Sequence, residues 1–364
     1  MSPTFRLAGS CWLRALLLAA LSWNGTAPAA AAGPDGPAPA TALRIVGGLA
    51  GVNQYTRHEE PFWSRELARL SGGRFRAEIV PFDRAGLRAP DMLTLVKHGS
   101  VPFGTLLLAV AAPQDPELAG PDLPGLNPDA PALQRTAATW RPLLEELLRE
   151  RHGVELLALY TYPAQVLFCK EGWRTLGDLK GRRIRTSSRP MSDWVEALGA
   201  QPVATGFAEI LPNLRAGNVD CAITGTMSGN SIGLHEATSH VHAMAIAWGL
   251  SAFVANGAAW RAQPEELRRL LQRELPRLEH AIWDESMRET AEGLACNTGA
   301  PGCAGGKRGR MALVDVTAAD LARSREIFHT TVLPRWQQRC GAGCERLWQR
   351  AATAAAHAVA TKAN

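Results

Sequence analysis

The chain has 364 residues, of which 46% are hydrophobic and 20% charged, a balance that excludes a disordered polymer and a small disulfide-stapled module. Its formal net charge of +5 falls by two, to +3, once Arg6 and Arg14 leave with the leader described next; that is too mild for a nucleic-acid binder. Length beyond the leader suits about two domains of roughly 150 residues each.

Arg6 and Arg14 precede an apolar run from Ala15 to Leu21, and Ala27-Pro28-Ala29-Ala30-Ala31-Ala32 follows with small residues suited to cleavage, so residues 1–32 read as a secretory signal peptide. The run is too short for a membrane span. Cys11 lies ahead of the apolar run and not behind it, which argues against a lipid-modified cysteine. Export to the periplasm is the expectation, with an oxidising environment for the remaining cysteines.

Leu43 to Val46 reads as a strand ending at Gly47-Gly48. A helix follows from near Pro61, with Phe62, Leu67 and Leu70 on one face and Gly72-Gly73 as its stop. Phe75, Ala77 and Ile79 alternate with charged residues as a second strand, and Met92 to Val96 carries the apolar face of a short helix. Val154 to Tyr160, the segment leading into Thr186, and Val219 to Thr224 read as further strands; Ser192 to Leu198 reads as a helix closed by Gly199. This alternation predicts α/β lobes with largely parallel sheets. The Pro-rich stretch Pro113 to Pro131 and a Gly-rich loop between Cys296 and Arg310 read as surface excursions. Pro264 to Glu285 and Ala318 to Ala355 read as amphipathic helices with ordinary solvated faces.

Six cysteines remain beyond the leader. Cys296 with Cys303, and Cys340 with Cys344, are close enough in sequence to predict two local disulfides. Neither spacing is that of a zinc ribbon. Cys169 and Cys221 sit in strand-like runs and read as buried, inert thiols.

Three patterns invite chemistry and are discounted on physical grounds. Gly229-Asn230-Ser231-Ile232-Gly233 fits the nucleophile pattern of serine hydrolases, with Asp284 and His329 downstream, yet four residues separate it from the preceding strand where a sharp elbow is needed. A secreted serine hydrolase stays the alternative function. His235, His240 and His242 have a spacing one residue too long for two imidazoles to share a helical face around a metal. Gly305-Gly306-Lys307 carries Arg308 where a phosphate loop needs Ser or Thr. No motif for a cofactor or a metal emerges. Arg185 is different: it ends a predicted strand, beside Thr186, Ser187 and Ser188, where open α/β lobes gather ligands and a guanidinium can grip a carboxylate with two parallel hydrogen bonds.

From Asp178-Leu179-Lys180-Gly181-Arg182-Arg183-Ile184-Arg185 through Ala197-Leu198-Gly199-Ala200-Gln201-Pro202-Val203 and Phe207-Ala208-Glu209-Ile210 to Leu214-Arg215-Ala216-Gly217-Asn218-Val219-Asp220, the chain resembles the DctP-type substrate-binding proteins of tripartite ATP-independent periplasmic (TRAP) transporters. Weaker likeness extends over nearly all of the mature chain. The resemblance implies a two-lobed periplasmic binding protein fold of the Venus-flytrap kind, with long C-terminal and lobe-spanning helices. It places one lobe at 43–161 plus about 250–288, and the other at 162–249 plus about 289–355. It implies Arg185 as the anchor for a small organic acid, and small and large membrane subunits as partners. A second arginine of many relatives falls near Ala164 or Gln165 here, and Thr224 replaces an expected asparagine, which points to a ligand with a single carboxylate. By position, Asn53, Gln54, Tyr55, Tyr162, Gln165, Phe207 and Trp248 are further ligand-contact candidates, Phe207 and Trp248 being equally readable as core.

Overall fold

The computed structural model describes residues 41–362. The expected signal peptide at 1–32, with Cys11, lies outside the described residues. Two mixed sheets organise the chain. The first is built from β1 (Thr41–Gly47), β2 (Phe75–Pro81), β3 (Phe103–Leu107), β4 (Val154–Tyr160) and β10 (Ser251–Asn256), in the order β2-β1-β3-β10-β4. The second contains β5 (Gln165–Cys169), β6 (Arg183–Thr186), β7 (Gln201–Ala204), β8 (Cys221–Gly225), β9 (His240–His242) and β11 (Ala312–Val314), in the order β11-β9-β5-β8-β6-β7.

The expectation of largely parallel sheets needs one correction in each. β10 runs antiparallel to β3 and β4, and β5 runs antiparallel to β8 and β9. These are the strands that the chain enters directly after crossing from the other sheet, so each arrives from the opposite end and pairs in the opposite sense. The result is the two-lobed α/β fold anticipated.

Local sequence explains the elements around the second sheet. Ser188 caps the helix Arg189–Ala197 by accepting from the Met191 amide, and Pro190 occupies the first turn, where its missing N–H costs nothing. That helix buries Met191, Trp194 and Val195 and leaves Arg189 exposed. Leu198-Gly199 ends it, with Gly199 at φ 75°, as the sequence pattern required.

A 34-residue helix, Glu265–Thr298, about 50 Å long at 1.5 Å per residue, links the lobes. Its contacts climb from one lobe to the other. The Leu159 amide donates to Glu279 (2.8 Å) and the Trp283 indole to the Leu159 carbonyl (2.8 Å). Next come Ser286 Oγ to the Thr161 carbonyl (2.7 Å) and the Ala164 amide to Thr290 Oγ1 (3.1 Å). Finally Thr226 Oγ1 donates to the Glu289 carbonyl (2.9 Å) and Asn297 Nδ2 to the Thr226 carbonyl (2.9 Å). Gly293 permits the close approach at the top: a Cβ there would sit 2.3 Å from the Met227 nitrogen.

Three cysteine pairs are bonded. Cys296–Cys303 and Cys340–Cys344 are the local pairs expected. The reading of Cys169 and Cys221 as free thiols is overturned. They face each other across β5 and β8, fully buried with Cα atoms 4.1 Å apart, and form a third disulfide. The segment 113–131 is also not a surface excursion, since Leu118 to Leu123 is buried throughout. The helix Ala130–His152 that follows packs beneath the C-terminal helices, with Trp140 against Trp336 and Trp348. Among the described residues no helix is long and apolar enough to cross a membrane.

Candidate functional site

A cavity of about 580 Å³ opens between the two sheets. One wall comes from the first lobe and is largely apolar, with Phe82, Leu87, Leu107, Val110 and Leu250 beside the charged Asp83, Arg88 and Asp122. The facing wall, from the second lobe, carries Arg185, Ser187, Ser188, Thr224, Ser228 and Gln165.

Arg185 stands on β6 between β7 and β8 and is only 3% exposed. Its Nε and Nη2 donate to the Thr205 carbonyl (3.1 and 2.8 Å), and its Nη1 donates to the Ile223 carbonyl (2.9 Å). These contacts fix the guanidinium at the carboxyl ends of β7 and β8. Among the described residues no carboxylate lies within ion-pair distance of it. Burial therefore lowers its pKa to about 9, with Glu209 opposing from a distance, and it remains a cation at neutral pH. Five donors are available on a guanidinium and three are used by carbonyls, so donors remain for an acid. Ser187 and Ser188 lie alongside, at the N-terminal end of the helix Arg189–Ala197, where the helix dipole also favours an anion.

The carboxylates that reach the cavity are occupied by backbone amides. Asp83 accepts from Ala50 (3.1 Å) and Glu209 from Gly206 (2.9 Å). Asp122 accepts from three successive amides, Trp248 (2.9 Å), Gly249 (2.6 Å) and Leu250 (3.2 Å), and so clamps the segment that crosses into β10. Burial raises its pKa to about 6 in spite of those bonds.

Of the sequence-derived candidates, Arg185, Tyr162, Gln165, Phe207 and Thr224 line the cavity. Asn53, Gln54, Tyr55 and Trp248 are placed outside its lining. Gln54 Nε2 donates to the buried Glu59 (2.6 Å), which also accepts from the Gly48 amide (2.8 Å) and Thr105 (3.2 Å), so this helical turn is turned inward to brace β1 and β3. Tyr55 packs against Gly47 in the same layer. Asn53 is bonded to Glu289 of the long helix. Trp248 is core, its indole donating to the Asn127 carbonyl (2.9 Å). The serine in the Gly229–Gly233 pattern forms no elbow: it ends the helix Thr226–Ser231, its hydroxyl donates to the Met227 carbonyl (3.0 Å), and Asp284 sits opposite His280 at 3.5 Å. His235, His240 and His242 do not converge, and among the described residues no group of three metal-ligating side chains forms.

Asp83, Asp122, Ser228 and the apolar wall are not legible as site residues in the sequence. Asp122 was hidden in a Pro-rich stretch whose burial composition does not report.

The bacterial extracellular solute-binding protein family 7 (DctP) matches residues 51–302. The chain belongs to that family. Its cleft is accordingly that of a solute-binding protein, and the run Asp178 to Asp220 that carries the resemblance folds into the wall holding Arg185. The ectoine-binding periplasmic protein TeaA of Halomonas elongata is 27% identical over 126 residues, a match covering 34% of this chain and 37% of TeaA. The chain thus spans little more than a third of that curated relative in sequence. Two solved structures match over far more of their length. An extracytoplasmic solute receptor of Bordetella pertussis that binds pyroglutamic acid superposes with a TM-score of 0.75 at 21% identity, covering 86% of this chain and 99% of its own. A TRAP periplasmic solute-binding protein of Desulfovibrio salexigens with bound orotic acid gives 0.76 at 17% identity, covering 87% and 99%.

Proposed function

We propose that the protein is a periplasmic receptor, exported by its N-terminal signal peptide, that closes on a small organic acid with one carboxylate and a compact, largely apolar body. It hands that acid to the small and large membrane subunits of a TRAP-type transporter. The observation that carries this reading is Arg185, a buried cation held by carbonyls, with donors unspent and, among the described residues, no carboxylate within ion-pair distance. A buried charge without a partner is costly, so an entering carboxylate gains both ion pairing and the relief of that cost. The apolar first-lobe wall suits the remainder of the ligand. A single carboxylate is favoured because Gln165 and Thr224 offer hydrogen bonds without charge, and the other cation in the lining, Arg88, is already paired with Asp91 (2.8 and 3.0 Å). Pyroglutamate and orotate, the ligands of the two solved relatives, are likewise rings bearing one carboxylate.

Closure is the whole mechanism, and no bond is made or broken. The lobes, taken as 43–161 plus about 250–288 and 162–249 plus about 289–355, turn about the two crossing segments and the long helix, and the acid favours the closed population. A thermal-shift screen of pyroglutamate, orotate, benzoate and malonate tests the reading. A one-carboxylate acid at a hundredfold excess over Kd adds about 2.7 kcal/mol, a rise of several degrees in Tm. Arg185→Ala abolishes the rise, losing at least ~1.5–3 kcal/mol of binding. Malonate as the tightest ligand refutes the single-carboxylate part, and no shift with any acid refutes the receptor reading.

A further inference from the structure

Glu289 lies where the long helix passes from one lobe to the other. Its residue is 4% exposed, the side-chain amide of Asn53 donates to its Oε1 from the first lobe, and its backbone carbonyl accepts from Thr226 of the second. The loop carrying Asn53 touches the second lobe at this point: a Cβ on Gly51 would lie 3.6 Å from Phe207 and 3.9 Å from Ile232. Arg57, one turn further on, lies against Gly305 of the disulfide-pinned loop. The cover over Glu289 is therefore made jointly by both lobes.

The charges facing Glu289 can be named element by element. On its own helix are Glu285 and Glu292, with Arg288 paired to Glu285. From the first lobe come Arg57, 2.9 Å from Glu285, and His58, 3.9 Å from the other Glu285 oxygen. The helix Thr226–Ser231 brings no titratable side chain. Desolvation, helped by Glu285 and Glu292 and opposed by Asn53 and Arg57, raises the Glu289 pKa from 4.5 to about 7.

We propose that Glu289 is a proton-operated latch: closing the lobes buries its carboxyl and draws one proton from solvent onto it, so that ligand capture is tighter in a mildly acidic medium than in a mildly alkaline one. This rests on the cleft being a ligand-closed hinge. In the open state the carboxyl is solvated and titrates near its ordinary value, so between that value and about 7 the closed state holds more protons than the open one. Closure is then favoured as pH falls across the window, and the advantage is lost as pH rises through about 7. Arg185 and the ligand carboxylate keep their charge throughout and add nothing to the slope.

Calorimetric titration with pyroglutamate and with benzoate, in phosphate and in imidazole at pH 6.5, reads the proton directly through the difference in buffer ionisation heats. The expected result is uptake approaching one proton per bound acid, and a Kd about tenfold weaker at pH 8 than at pH 6. Glu289→Gln abolishes both effects. Asn53→Ala, which removes a donor to the charged form, moves the window to higher pH and keeps the assay informative if the first variant does not fold. His58→Gln leaves the uptake in place. Binding without buffer-dependent heat, or uptake that survives in Glu289→Gln, overturns the latch while leaving the receptor intact; no heat with any acid of the screen overturns both.

Discussion

The two walls of the cleft are built on opposite terms. The second-lobe wall is held by directed bonds: Arg185 is clamped by two carbonyls, Ser188 caps its helix, and β5 and β8 are bolted by Cys169–Cys221. The first-lobe wall is mostly packed apolar surface, with Leu87 and Leu107 only half-buried, and its few directed bonds are those of Asp83 and Asp122 to backbone amides. Directed bonds fix where a carboxylate must sit, because a guanidinium fork has geometry. Packing fixes only how much apolar volume can follow, because the hydrophobic term has magnitude without direction. On the function proposed above, one wall selects the charge that enters and the other the body that follows it.

That contrast can be broken most severely at the disulfide. Replacing Cys169 and Cys221 together by alanine frees a loop of 52 residues, for which chain entropy predicts a loss of about 4 kcal/mol. Denaturant unfolding should record that loss; a change below about 1 kcal/mol means that packing and not the bridge holds this wall. Asp122 comes next. Its pKa is raised from 3.8 to about 6, so its contribution to stability is fully present below the unfolded value and is lost as pH rises through the folded one. Two units correspond to at most about 3 kcal/mol. Melting profiles from pH 4 to 6 should show this downward component in the parent and not in Asp122→Asn; equal slopes exclude it. Smallest is the apolar wall, where Leu87→Ala should weaken binding of benzoate by roughly 1 kcal/mol and leave acetate unchanged. Equal losses for both acids would show that Leu87 shapes the carboxylate site after all.

What the sequence discloses depends on how far apart the deciding residues lie. Arg185 is legible because a cation near the end of the short strand Arg183–Thr186, followed by three hydroxyl residues, is a local pattern. Cys296–Cys303 and Cys340–Cys344 are legible for the same reason. Cys169–Cys221 is not, because its pairing depends on the register of two strands 52 residues apart. Asn53, Gln54 and Tyr55 are correctly placed after β1, yet which way a helical turn faces is decided by the buried Glu59 and Glu289, one of them over 200 residues away. Proline content in 113–131 reports a constrained backbone, which is equally compatible with surface and core, and so Asp122 is invisible until the crossing segment is seen to need an acceptor for three amides.

The placement of β10 between β3 and β4 has a consequence for the order in which the molecule can be assembled. A chain delivered from its N-terminus presents β4 nearly a hundred residues before the strand that joins it to its own sheet. Five of the six strands of the second sheet, by contrast, lie together between Gln165 and His242 and need nothing from beyond them to pair. The half of the receptor synthesised later is the half whose strands can find one another first, and the earlier half must wait, incomplete, for its keystone.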